Sequence, residues 1–88
     1  MNTRPSKRPS VKQVSKWYTM YENERDQDWR GHYIYAKVEN GYPFPDFYRV
    51  TYKINDQKSS KIFFGETAWS KTEMFVYDLG FRDILGRV

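Results

Sequence analysis

Glu22, Glu24, Asp26 and Asp28 fall on every second residue, so an extended backbone would set all four carboxylates on one face, where they could attract a hard cation. No glycine stands at the interval a calcium loop needs, and the quartet reads as a solvated acidic connector or a patch for a basic partner. The one histidine, His32, cannot build a His-rich metal site, and in a strand it is more often a packed residue than a catalytic base. With no cysteine there is neither a thiolate nucleophile nor a Cys-based zinc site. The five glycines are scattered singly, so no loop cradles phosphate. The expectation is a protein that is not an enzyme and uses no cofactor and no metal.

Binding chemistry is better supplied. The chain holds 15 Lys or Arg, and Trp, Tyr and Phe together make up 19% of it. Arg4, Lys7, Arg8, Lys12 and Lys16 lie in the first sixteen residues with no acid among them, while the remainder carries a slight excess of acid. An arm of that composition, broken by Pro5 and Pro9, reads as disordered over residues 1–10 and could neutralise phosphates with little sequence preference. Further on, Tyr33, Tyr35 and Lys37 would neighbour Arg49 and Lys53 if their two segments pair as a hairpin. Aromatics interleaved with cations on a sheet face can stack bases and contact phosphates, although tyrosine also serves small proteins as sheet filler. Lys71 follows Ser70 at an expected helix start, where backbone amides favour an anion. Trp29 and Trp69, each beside a cation in an expected connector, are the candidates for contact with a protein partner.

These groups need elements to position them. Eighty-eight residues make one domain, here residues 11–88, with a small core. Ser10 suits an N-cap, and Val11, Val14, Tyr18 and Tyr21 recur at three- and four-residue steps, which predicts a helix from Val11 to Glu24. His32 to Glu39 alternates, with Ile34, Ala36 and Val38 inward. Phe47 to Ile54 alternates again, with Tyr48, Val50, Tyr52 and Ile54 inward. Between them, Asn40 to Asp46 is a loop. Asn55 to Ser60 is a polar turn and Lys61 to Phe64 a short third strand. Ser70 and Glu73 have capping-box spacing. Met74, Tyr77, Phe81 and Leu85 then continue a second helix that Gly80 interrupts. The expected fold is α+β, a three-stranded antiparallel sheet with a helix before it and a helix after it. No run is long and apolar enough to span a bilayer, and no secretory signal is visible, so a cytoplasmic protein is expected.

That order, over most of the chain, resembles the double-stranded RNA-binding domain. Gly41, Pro43 and Phe47 fall near that family's Gly-Pro loop and the aromatic that opens its second strand. Gly65 and Ser70-Lys71 are similar to its glycine stretch and the start of its second helix. The sequence departs from the pattern where Phe44 stands for the loop histidine. Thr72 and Phe75 take positions of its lysine cluster, and Met74, Tyr77 and Asp78 replace its alanines. The resemblance implies an α-β-β-β-α fold and RNA as ligand, with Lys71 as the remaining helix cation. The leading expectation is therefore a small nucleic-acid-binding module, for RNA before DNA. The alternative is a compact inhibitor or adaptor, of the kind small viruses and mobile elements encode, that blocks a protein partner through an aromatic-rich surface.

Overall fold

The computed structural model describes residues 10–86. Four antiparallel strands, β1 (Lys16–Arg25), β2 (Ile34–Tyr42), β3 (Phe47–Ile54) and β4 (Gln57–Phe64), form a meander in the order β1-β2-β3-β4. One helix, α1 (Ala68–Leu79), follows, with single 3-10 turns at Val11–Gln13 and Arg82–Ile84. The fold is thus β-β-β-β-α rather than helix, three strands, helix: the first helix is absent and a fourth strand takes its place.

The expected helix from Val11 to Glu24 is the largest correction. Ser10 does cap a turn, its hydroxyl accepting from the Lys12 amide while the Gln13 side chain accepts from the Ser10 amide, but the turn ends at Gln13. Trp17, Tyr18, Thr19 and Tyr21 are residue types that favour a pleated, half-buried surface, and they extend as β1. A β-bulge between Thr19 and Tyr21 shifts the register against β2. Trp17, opposite Gly41, and Tyr21, opposite Val38, therefore face opposite sides of the sheet, although four residues would keep them together in a regular strand. The bulge removes the period-two signal and leaves a spacing that imitates a helix.

The other strands keep the expected faces but not all the expected ends. β2 starts two residues late and runs on through Gly41 to Tyr42, with a cis Tyr42–Pro43 peptide after it. Asn40 Nδ2 donates to the carbonyls of Phe44, Pro45 and Phe47 and so closes the loop to β3. β3 has the expected bounds. The polar turn shrinks to Asn55 and Asp56, because Gln57 already pairs with Ile54. Asn55 takes the left-handed φ of 56° that asparagine tolerates.

Ser70 is not a cap. Thr67 precedes the helix without a side-chain cap bond, and Glu73 reaches forward, its Oε2 accepting from the Gly86 amide. The buried stripe of α1 is Ala68, Thr72, Val76 and Leu79, whereas Met74 and Leu85 of the expected stripe are exposed. The helix ends as expected at Gly80, where φ is 127°. The α1 side of the sheet carries the core, with Ile34, Ala36, Val38 and Val50 under Val76, Leu79, Phe81 and Ile84. Rings close its flanks: Tyr48 against Trp69 at 5.3 Å and Tyr52 against Phe75 at 5.1 Å. At the β1 edge, the Tyr21 hydroxyl donates to Asp83 at 2.6 Å.

A second, smaller cluster lies on the opposite face. Gly41 of β2 lets Trp17 of β1 and Phe47 of β3 meet across it, with ring centroids 5.7 Å apart. A Cβ at Gly41 would stand 2.8 Å from Val14 Cγ2 and 2.9 Å from Phe47 Cδ2. Val14 therefore packs down on this strip, and the Ser15 amide donates to the Tyr42 carbonyl, which ties the chain before β1 to the sheet.

Candidate functional site

The face of the sheet away from α1 is the surface on which aromatics and cations were expected to converge. Arg49, Thr51 and Lys53 of β3 do share it with Tyr35 and Lys37 of β2, because Lys37 pairs with Thr51 and Tyr35 with Lys53. The partners of these side chains come from β1 and β2. The Tyr35 hydroxyl donates to Glu22 and the Tyr33 hydroxyl to Glu24, each at 2.7 Å. Partial burial first, then the bond to Glu22, raises the Tyr35 phenol to about 12; the bond to Glu24 is the main cause of a raised Tyr33. Arg49 donates through Nε and Nη2 to Glu39 Oε1 at 3.0 and 2.8 Å, and its guanidinium lies 4.0 Å from the Trp17 ring centre. Lys37 Nζ stands 3.8 Å from the other Glu39 oxygen, and Lys53 Nζ lies over the Tyr35 ring at 5.5 Å. The cations and rings are brought together, but largely as partners of one another and of Glu22, Glu24 and Glu39.

The remaining expected contacts are dispersed. Lys12 is exposed on the first 3-10 turn, and Lys16 lies over Tyr18 at 5.0 Å at the start of β1. Lys71 is exposed on α1, which covers the other face of the sheet. Arg4, Lys7 and Arg8, and with them the expected disordered arm, lie outside the described residues. Residues 10–86 hold eleven Lys or Arg and eleven Asp or Glu, so the excess of +4 falls on Arg4, Lys7, Arg8 and Arg87. The acidic quartet does not converge either: Glu22 and Glu24 receive the two tyrosines, Asp26 is exposed, and Asp28 turns inward.

Asp28 organises the connection between β1 and β2. Its Oδ1 accepts from the amides of Arg30 and His32 at 2.8 and 3.0 Å, and its Oδ2 from Arg30 Nε and Nη2 at 3.2 and 3.0 Å. The His32 amide is the leading cause that lowers this carboxyl to about 2; desolvation opposes it and the Arg30 bonds add to it. The Gly31 amide donates to the Asp28 carbonyl at 2.9 Å, and Gly31 has the positive φ, 82°, that completes the tight turn. His32 contributes its backbone here, while its Nδ1 is buried without a hydrogen-bond partner.

This turn presents Trp29. The side chain is 83% exposed, which is exceptional for the largest apolar residue in a chain with so few aliphatics. The Arg30 guanidinium that bonds to Asp28 also lies 5.1 Å from the Trp29 ring centre. Trp69, the other tryptophan expected in a connector, is the second residue of α1 and half-buried against Tyr48. Of the two, only Trp29 stands out from the surface.

Beside Trp29 opens a cleft of about 680 Å³ between the end of β1 and the turn after α1. Arg25, Asp28 and Trp29 line one side, and Tyr77, Asp78 and Arg82 the other. Arg25 Nη1 crosses it to the Gly80 carbonyl at 3.0 Å, and Arg82 lies over Tyr77 at 5.8 Å. Except for Trp29, none of these residues stood out in the sequence. The readable signal was Asp28 followed by Gly31, a spacing suited to a side-chain-stabilised turn.

No family model, curated protein or solved structure matches the chain. The element order that carried the resemblance to the double-stranded RNA-binding domain is not the observed one, because β1 stands where that fold has its first helix. Among the described residues no helix is long and apolar enough to cross a membrane.

Proposed function

We propose that the protein is a small non-enzymatic binding module that engages another protein through Trp29 and the adjoining cleft. The observation that carries this reading is an 83% exposed tryptophan on a turn held by four hydrogen bonds to one carboxylate. Tryptophan, arginine and tyrosine are the types that dominate interface energetics, and Arg25, Arg30, Arg82 and Tyr77 surround this one. A side chain already fixed in the free protein loses little conformational freedom on binding. The nucleic-acid reading has less support: the described residues are charge-balanced, and Tyr33, Tyr35, Lys37 and Arg49 are engaged within the sheet. An inhibitor or adaptor in the cytoplasm is the form this proposal takes.

The test is affinity purification of the tagged full chain, with and without nuclease and at low and high salt, beside Trp29→Ala. A protein captured under all four conditions and lost from Trp29→Ala supports the reading. Capture that disappears with nuclease, or is steeply weakened by salt, returns the assignment to nucleic acid. Capture that Trp29→Ala leaves unchanged removes the cleft from the site.

A further inference from the structure

The sheet has two outer edges, and they are built differently. β1 carries the bulge, and its far end is tied down through Asn23 to Asp83 and Arg25 to Gly80. β4 pairs with β3 without interruption, from Phe47 opposite Phe64 to Ile54 opposite Gln57. Its eight residues contain no proline or glycine and span roughly 27 Å at the usual rise per residue. Residues 57–61 are exposed throughout. An edge strand directs every second residue's N–H and C=O outward, an array that another extended chain can complete.

The charge along this edge has one sign. β3 and β4 hold Arg49, Lys53, Lys58 and Lys61 and no acid, while the three acids of the sheet strands, Glu22, Glu24 and Glu39, all lie on β1 and β2. Arg49 is paired with Glu39. Lys53 and Lys58 are direct cross-strand partners, an arrangement that is unfavourable for like charges unless an anion joins them. Lys61, on the other face, lies over the Phe63 and Phe75 rings at 5.6 and 5.2 Å. Toward the end of the strand Ile62 is half-buried and Phe64 exposed, which offers apolar contact next to the lysines.

We infer that the outer edge of β4 is a docking site for an acidic, extended segment of another protein, which joins the sheet as a fifth strand. Carboxylates on that segment meet Lys53, Lys58 and Lys61, and apolar residues meet Ile62 and Phe64. A second copy of this chain is the wrong occupant, because it would bring its own Lys58 and Lys61 against the same pair. Nucleic acid is the wrong occupant as well, since phosphates supply acceptors but no donors for the outward carbonyls. The edge stands apart from the Trp29 cleft, so either reading can fail while the other holds.

The probes are a fluorescein-labelled heptapeptide of alternating Glu and Val, the Lys–Val peptide of the same length, and a single-stranded oligonucleotide, each titrated into the full chain. The Glu–Val peptide should bind at least tenfold tighter than the Lys–Val peptide and shift the backbone amide signals of residues 57–64. Lys58→Glu should reduce that preference at least tenfold, Lys58→Gln partly, with amide spectra elsewhere unchanged. Trp29→Ala should bind the Glu–Val peptide as the parent does. Equal affinity for the two peptides, no binding of either, or shifts confined to the Trp29 cleft would overturn the inference. So would tighter binding of the oligonucleotide, or a concentration-dependent dimer of the parent that Lys58→Glu dissociates.

Discussion

Arg49 sits on the open face of the sheet, where a solvent-facing cation would be replaceable at little cost, yet its surroundings make it structural. Its side chain is 29% exposed and that of Glu39 only 10%. Replacing Arg49 by Ala removes two charge-assisted hydrogen bonds to one carboxylate and the stacking on Trp17 at 4.0 Å. It leaves Glu39, a nearly buried acid, with Lys37 at 3.8 Å as its remaining ion-pair partner. Removing one member of a fully buried pair costs about 3–5 kcal/mol, and exposed pairs contribute about 1 kcal/mol or less. A pair of intermediate exposure, with the ring contact added, should cost about 2 kcal/mol. In a domain of this size that lowers Tm by about 8–16 °C. Urea denaturation of Arg49→Ala, Glu39→Gln and the double variant separates the pair from the ring contact, since the double variant should recover about 1 kcal/mol relative to the sum of the singles. Arg49→Ala within 0.5 kcal/mol of the parent, or strictly additive singles, would show that this face is held by strand pairing alone.

Gly41→Ala should destabilise by about 1–3 kcal/mol through overpacking against Val14 and Phe47, and the amide signals of Val14 and Trp17 should move most in its NMR spectrum. Val50→Asp should abolish cooperative unfolding, since Val50 is fully buried in the sheet core; a normal calorimetric transition would contradict the register of β3. Asp28 has a folded carboxyl pKa lowered from 3.8 to about 2, so its contribution to the turn is in place above pH 4 and disappears as pH falls through 2. The amide shifts of Arg30 and His32 should follow that titration, and Asp28→Asn should abolish it. Tyr35 has a folded pKa raised to about 12, so its contribution holds below pH 10 and is lost between 10 and 12; Glu22→Gln should bring the phenol down in an ultraviolet titration.

Strict alternation made β2 and β3 legible because each buries one face against the helix and exposes the other, so each side chain reports its side. β1 was not legible for a local reason. Its bulge shifts the alternation after Thr19, and the surviving Val11, Val14, Tyr18 and Tyr21 spacing then fits a helix. The buried stripe of α1 was hidden by composition, because two of its four positions are Ala68 and Thr72, while the more apolar Met74 faces solvent. The open face shows how one such error spreads. Its tyrosines and cations were placed on the correct side, but Glu22 and Glu24 could not be seen as their partners while β1 was read as a helix. Trp29 was recognised by type, whereas the carboxylate that holds its turn was grouped with three acids it does not join.

The three acids of the sheet strands are committed to holding the sheet. Glu22 and Glu24 receive phenols, and Glu39 receives Arg49 and Lys37. What remains without an internal counter-charge is displaced to the far edge, at Lys58, with Lys53 held only over a ring. Trp29 stands at the tip of the β1–β2 connection. Both are exposed, and neither contributes to the cluster between sheet and helix. In a domain this small the core leaves little stability to lose, and exposed positions are where substitution is mild. Variants at Trp29 and Lys58 should therefore change binding at constant Tm, whereas variants at Arg49 and Gly41 should change Tm first. A Trp29→Ala protein that melts well below the parent would mean that the tryptophan packs against the cleft in solution, and the protein-binding reading would lose its principal observation.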